Sequence, residues 1–303
     1  MISKRRLIVT GGNGFVAGSV IFNALDDWEL HSLTRGQAPL EREGLQWHSC
    51  GLADTPRLAG LFRDLRPHAV IHTAAIADID FSEANPGTAR EVNVDYTRRL
   101  CELCREHGTR MVFCSTDTVF DGEGAPYREQ DPAHPVNLYG RTKVEGEEQV
   151  ARLGSLGVIA RLALVMGLPM LGSGNSFLPR LIATLKAGKE VPVQAHEIRS
   201  PVDVVTLGQA LVELAGSELN GIFHLAGNDR LNRLELTQRI ASRLGYSPRL
   251  VVAAPAGSAP RRAPRPRDVS MDNSKARALL RTPMRSFDEG LSLVLETPHT
   301  SGE

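Results

Sequence analysis

The sequence predicts an α/β protein with a doubly wound parallel sheet and a smaller C-terminal unit interleaved with it. Three observations carry this. Short β-branched and apolar runs alternate with longer stretches of helical periodicity through the first half. Those runs are apolar almost throughout, as strands covered by helices on both faces must be. A glycine-rich turn joins the first run to the first helical stretch.

Taken in order, Leu7-Ile8-Val9 reads as the first strand, 15–25 as a helix, Leu30 to Leu33 and Leu45 to His48 as the next strands, and 55–65 as a second helix. Ala69-Val70-Ile71 is a fourth strand, followed by a helical pattern over 86–106, a strand at Met111-Val112-Phe113, a helix over 137–152 and a strand from Val158-Ile159-Ala160. Beyond 165 the alternation loosens at Gly167, Pro169 and Gly174, with helical patterns at 176–187 and 203–215. Gly221 to Leu225 reads as one more buried strand, so residues 1–165 form a Rossmann-type domain with a returning strand near 221–226, and 166–303 form mainly a second domain. From Ala253 to Arg267 the chain is rich in Pro, Ala, Gly and Arg; it reads either as a surface linker or as a loop carrying Arg261, Arg262, Arg265 and Arg267 to a phosphate.

Composition narrows the function classes. The 303 residues balance 35 Lys and Arg against 35 Asp and Glu, and aromatics make up 5%. No global field draws such a chain to nucleic acid or to an anionic membrane, and base-stacking material is scarce. No run approaches the roughly 20 apolar residues of a membrane span, and the basic start at Lys4, Arg5 and Arg6 is followed by too short an apolar stretch for a signal peptide. Cys50, Cys101, Cys104 and Cys114 are too few to staple the chain, which points to a reducing, cytoplasmic compartment. Cys101-x-x-Cys104 lacks a second ligand pair and sits in a helical pattern, so two helix thiols are expected rather than a metal site. His72 and His224 lie in apolar runs and read as core residues.

The chemistry concentrates in two places. Thr10 to Ala17 satisfies G-x-G-x-x-A with Gly12, Gly14 and Ala17, and G-x-x-G-x-x-A with Gly11, Gly14 and Ala17. Small residues there permit a tight turn, backbone approach to a pyrophosphate and close helix–strand packing, so Gly11, Asn13, Gly14, Phe15 and Val16 are candidate dinucleotide contacts. An acidic residue at the end of the second strand would bind ribose hydroxyls; Thr34-Arg35 stands there instead and favours NADP, with NAD the alternative. Tyr139-x-x-x-Lys143 places a phenol and an ammonium one helical turn apart, and Ser115-Thr116-Asp117 closes the strand upstream with hydroxyls that can share a substrate oxygen. The ammonium is expected to pull the phenol pKa down towards neutrality.

Together with His72-Thr73-Ala74-Ala75 and Asn93, these segments resemble an extended short-chain dehydrogenase/reductase. The run Ser115 to Gly122, then Pro126-Tyr127-x-Glu129 and Pro135 to Glu147, is similar to the dTDP-4-dehydrorhamnose reductase branch. The resemblance implies that Tyr139 is the general acid, that Lys143 holds the nicotinamide ribose and lowers the tyrosine pKa, and that Thr116 binds the reacting oxygen. It implies cofactor contacts at Thr73, Ala74 and Ala75, substrate contacts at Thr116, Asp117, Asn175 and Arg199, no metal, and a sugar-nucleotide substrate. Dehydratases of similar sequence place Glu where Thr118 stands here, which disfavours that chemistry. Two departures are Ala17 for the last glycine of the turn and Gly51 where relatives commonly place an Asp beside the adenine. The alternatives are a sugar-nucleotide epimerase and a non-catalytic NADP-binding subunit resembling the methionine adenosyltransferase beta subunit. Relatives commonly pair the helices near 86–106 and 137–152, so a homodimer is expected by analogy.

Overall fold

The computed structural model describes residues 4–36, 42–171, 174, 176–255 and 263–298. Its first half runs β1 (Arg5–Thr10), α1 (Phe15–Ala24), β2 (Trp28–Thr34), β3 (Leu45–Ser49), α2 (Thr55–Leu65), β4 (Ala69–His72), α3 (Ile79–Ala84), α4 (Pro86–Arg90), a π-helical segment (Glu91–Asp95), α5 (Tyr96–His107), β5 (Arg110–Thr116), α6 (Leu138–Ala151) and β6 (Gly157–Leu162). The second half adds β7 (Val165–Met166), α7 (Phe177–Lys186), β8 (Val191–Val193), β9 (Ile198–Arg199), β10 (Val202–Asp203), α8 (Val204–Gly216), β11 (Gly221–Leu225), β12 (Leu231–Asn232), α9 (Arg233–Arg243), β13 (Val251–Ala253), α10 (Ser274–Leu279) and α11 (Phe287–Glu296).

Seven strands form one parallel sheet in the order β11-β6-β5-β4-β1-β2-β3. The reversal of direction between β1 and β4 opens a crevice at the carboxyl ends of the strands, where doubly wound sheets take their ligands. Strand alternation sends Leu7 and Val9 to a core with α1 and α8, and Ile8 to another with α2 and α5. A third core joins α7, α9 and α11. The second half returns to the sheet through α8, which packs on α1, and through β11, which pairs with β6 from Gly221↔Val158 to Leu225↔Leu162.

The expected single helix over 86–106 is three pieces. A π-helical segment interrupts it at Glu91–Asp95 because Asn93 is drawn inward. Its Oδ1 accepts from the Ile76 amide at 2.8 Å, and its Nδ2 donates to the Ile76 carbonyl at 3.1 Å and to Thr142 Oγ1 at 3.0 Å.

Cys101 and Cys104 face the α5 side of the core, and burial pushes the Cys101 thiol up to about 12. They are apolar packing, and the described residues hold no cluster of three or more metal-ligating side chains. Burial likewise drives His72 down to about 3 and His224 down to about 4, as core histidines. Of the Arg- and Pro-rich stretch, residues 253–255 and 263–267 are described, and 263–267 is tethered rather than loose. The Ala263 amide and the Arg265 guanidinium both donate to Asp80, and Pro264 accepts from Asn137 Nδ2 at 3.0 Å. Arg261 and Arg262 lie outside the described residues.

Candidate active site

The first half of the site is a cleft of about 330 Å³ at the crevice. Gly11 turns the chain at φ 70°, and a Cβ there would lie 2.8 Å from Ala74 Cα, so the end of β1 and the segment after β4 touch. Their registry is fixed by the Thr73 hydroxyl donating to the Thr10 carbonyl at 2.6 Å and by the Ala74 amide donating to Thr10 Oγ1 at 3.2 Å. Gly11, Asn13 and Gly14 line one wall, Thr34 and Arg35 a second, and Thr73, Ala74 and Ala75 a third.

Phe15 and Val16 do not line it: their side chains pack into the hydrophobic cores, leaving only their backbone at the start of α1. Sequence reasoning missed Leu33, Gly36, Cys50, Leu52, Val92 and Tyr96 in the cleft wall. Cys50 and Leu52 flank Gly51, the position already noticed for its missing carboxylate, so that signal was present. Val92 and Tyr96 enter the wall through the π-helical segment, which helical periodicity does not reveal. Arg35 is exposed at the end of β2, and no carboxylate lines the described wall.

The second half is a buried polar cluster carried by β5 and α6. Asn137 caps α6, accepting from the Gly140 amide at 2.8 Å. Gly140 lets the helix approach the turn after β5, since a Cβ there would meet the Thr118 carbonyl oxygen at 2.4 Å. Tyr139 is thereby set beside Thr116, and Lys143, one turn on, lies over Phe113 of the same strand, with 9% and 1% exposure. Thr116 Oγ1 and Thr118 Oγ1 share a hydrogen bond at 2.5 Å, and the Thr116 hydroxyl also lies 3.2 Å from Asp117 Oδ1.

Electrostatics set the protonation of this cluster. Burial raises the Tyr139 phenol well above its ordinary value, opposed by the Thr116 hydroxyl. This corrects the expectation that Lys143 brings it towards neutrality: the Lys143 ammonium instead sits 3.9 Å from the centre of the Phe113 ring. Burial lowers Lys143 to about 8, opposed by Cys114 and Glu147. Asp117 is pushed up to about 6 by burial, opposed chiefly by Arg199. Its Oδ2 has no hydrogen-bond partner among the described residues and lies 3.9 Å from Arg199 Nε.

Arg199 is buried beside Asp117, but its terminal nitrogens donate to the carbonyls of Ile198, Pro266 and Arg267. It braces the 263–267 tether against β9. Asn175 lies outside the described residues. Asn93 connects the two halves, standing next to Val92 of the cleft wall and bonded to Thr142 on α6. A phenol that keeps its proton, a neighbouring hydroxyl and a buried ammonium can protonate an oxygen held at Thr116. A carboxylate oxygen with open valence beside them can accept from a ligand hydroxyl.

The sequence pattern of a known family, the RmlD substrate binding domain, matches residues 5–299. The chain is 29% identical over 301 residues to methionine adenosyltransferase 2 subunit beta of Bos taurus, covering 94% of this chain and 86% of that protein. It is 31% identical over 231 residues to a dTDP-4-dehydrorhamnose reductase of Sinorhizobium fredii, covering 74% of this chain and 73% of that one. The crystal structure of dTDP-4-dehydrorhamnose reductase from Bacillus anthracis in complex with NADP superposes with a TM-score of 0.85 at 25% identity, covering 97% of this chain and 100% of that one. Crevice, catalytic-type cluster and sequence pattern thus coincide along one chain, which belongs to the RmlD substrate binding domain family.

Proposed function

We propose that the protein is an NADP-preferring reductase of a nucleotide-activated 4-keto-6-deoxy sugar. The observation that carries this reading is the buried Thr116, Tyr139 and Lys143 cluster beside the glycine-lined cleft. The cleft fits a dinucleotide: Gly11 leaves no room for a side chain against Ala74, and the only charged group in its described wall is Arg35. Gly11, Asn13, Gly14 and the backbone of Phe15 and Val16 would hold the pyrophosphate, Thr34 and Arg35 the adenosine ribose with its 2′-phosphate, and Thr73, Ala74 and Ala75 the far side. When bound, NADPH supplies a hydride to the carbonyl carbon. Thr116 donates a hydrogen bond to the carbonyl oxygen, Tyr139 delivers its proton to the same oxygen, and Lys143 holds the ribose hydroxyls. Asp117 Oδ2 accepts from a sugar hydroxyl, with Asn175 as a further substrate contact. Arg199 serves by aligning Asp117, since its own donors are spent on carbonyls.

In this reading the dinucleotide belongs to 1–165 with the returning strand, and the sugar nucleotide mainly to 166–303. Four unpaired, buried cysteines support a cytoplasmic setting. A homodimer through α5 and α6 would be a polar one, because their outward residues include Arg98, Glu102, Arg105, Arg141 and Glu148. Its mass by light scattering should therefore fall towards the monomer as salt is raised.

The test of function is a panel of dTDP-, UDP-, GDP- and CDP-4-keto-6-deoxy sugars scored by NADPH oxidation. Stoichiometric oxidation with one of them is expected. Conversion of a sugar nucleotide without net NADPH loss would replace the reductase by an epimerase. A regulatory-subunit reading has its own support, the relationship to methionine adenosyltransferase 2 subunit beta over 94% of the chain. NADP binding with no turnover anywhere on the panel, and stable capture of a methionine adenosyltransferase catalytic chain, would establish that reading instead.

A further inference from the structure

Glu147 takes no part in the proposed chemistry, yet it is buried directly beneath it. It stands four residues after Lys143 on α6, so the two side chains share a helix face. Its Oε1 accepts from the Ser115 hydroxyl at 2.5 Å and from Arg161 Nε at 3.0 Å, and its Oε2 accepts from Arg161 Nη2 at 2.8 Å. The Arg161 and Glu147 side chains are only 4% and 7% exposed. Ser115 and Arg161 are register partners on β5 and β6, and Ser115 immediately precedes Thr116. The three residues therefore tie the strand bearing Thr116 to the helix bearing Tyr139 and Lys143.

Burying an ion pair is costly, and apolar side chains of similar volume commonly stabilise a core as well or better. Stability alone is thus a weak reason for this pair. Its location suggests another. The charged and titratable groups acting on Lys143 are Cys114 on β5, Glu147 on α6 and, across the sheet, His72 on β4. His72 is neutral, and burial holds the Cys114 thiol up at about 12, so Glu147 is the one anion among them near neutral pH. The Phe113 ring supplies the remaining attraction.

We infer that Glu147, clamped by Ser115 and Arg161, is a positioning residue that keeps Lys143 an ammonium inside the core and fixes α6 against β5 so that Tyr139 and Lys143 meet Thr116. The inference rests on the proposed function only for what Lys143 does.

The chain contains five lysines, so isotope-labelled lysine NMR resolves Lys143, with Lys143→Met supplying the assignment. The double variant Glu147→Gln/Arg161→Gln removes both charges together and strands neither. Its Lys143 midpoint is expected about one pH unit below wild type. The alkaline limb of kcat should move down by the same amount with KM little changed. A folded double variant whose Lys143 titrates as in wild type overturns the inference. Should the double variant fail to fold, Ser115→Ala decides: it keeps both charges, and kcat is expected to fall at least fivefold with NADPH affinity retained, whereas wild-type kcat leaves Glu147 a purely structural role and also overturns it. The lysine titration needs no substrate, so a wild type inactive on every keto sugar would refute the proposed function while leaving the titration to decide on Glu147.

Discussion

In the proposed function Tyr139 serves as an acid: burial keeps its proton in place through the neutral range, and the Thr116 hydroxyl opposes that shift. Tyr139→Phe keeps the ring that fills the core and deletes only the donor. It is expected to lower kcat by about two orders of magnitude or more while leaving NADPH affinity near wild type, measured by fluorescence titration. An active Phe variant would remove the phenol from the mechanism. Arg35 presents the opposite situation, a guanidinium exposed at the mouth of the cleft, which in the proposed function meets the 2′-phosphate. A charge-assisted contact of this kind contributes about 1.5–3 kcal/mol, so Arg35→Ala should reduce the NADPH to NADH affinity ratio at least about tenfold. A ratio unchanged by the substitution would detach Arg35 from coenzyme choice.

Helix α6 shows how one element can carry several functional decisions. Asn137 uses both ends of its amide, accepting from Gly140 at the helix start and donating to Pro264 of the tether, so Asn137→Ala removes a cap and a link between distant segments together. Loss of the cap costs about 1 kcal/mol, and the melting temperature should fall by a few degrees with kcat reduced and the sheet intact by circular dichroism. A stable variant with reduced activity would assign the residue to the tether alone. The position of α6 was legible in its own spacing, Tyr139 to Lys143 within a helical pattern over 137–152. So were the crevice strands, whose apolar runs need no partner to be recognised. The interruption of 86–106 was not, because its cause is Asn93 reaching Ile76 and Thr142, contacts distant in sequence. The brace formed by Arg199 was equally hidden: the resemblance implied a substrate contact there, and the carbonyls of Pro266 and Arg267 that it meets are distant in sequence. Arg161 was missed for a related reason, since its partners Glu147 on α6 and Ser115 on β5 are distant in sequence, although it lies within β6, which runs to Leu162.

Across the whole molecule, buried histidines stand in the central sheet, His72 at the end of β4 beside the crevice and His224 on the far edge strand, and they shape its response to acid. His72, at the end of β4, bonds Thr10 of β1 at 2.7 Å and Thr97 of α5 at 3.0 Å; His224 lies in β11, the strand that returns from the second half. Both fold with pKa values far below 6.5, at about 3 and about 4. As pH falls below 6.5, the unfolded chain takes up protons that the folded chain refuses, so stability complete above 6.5 declines towards the folded values. Each histidine contributes a slope of about 1.4 kcal/mol per pH unit within its window. Asp117 works in the other direction: its folded pKa of about 6 exceeds the 3.8 of the free carboxyl, so it gains relative stability as pH drops from 6 towards 3.8. His31 and His48, which burial also lowers, add to the loss, and Asp203, which burial raises, adds to the opposition, so four histidines against two carboxyls leave a net loss of stability as pH falls below 6. Urea midpoints measured between pH 7 and 4.5 should therefore fall steadily, and Asp117→Asn should steepen the fall by removing one opposing group. A midpoint that holds or rises on acidification would mean that His72 and His224 are charged in the folded sheet.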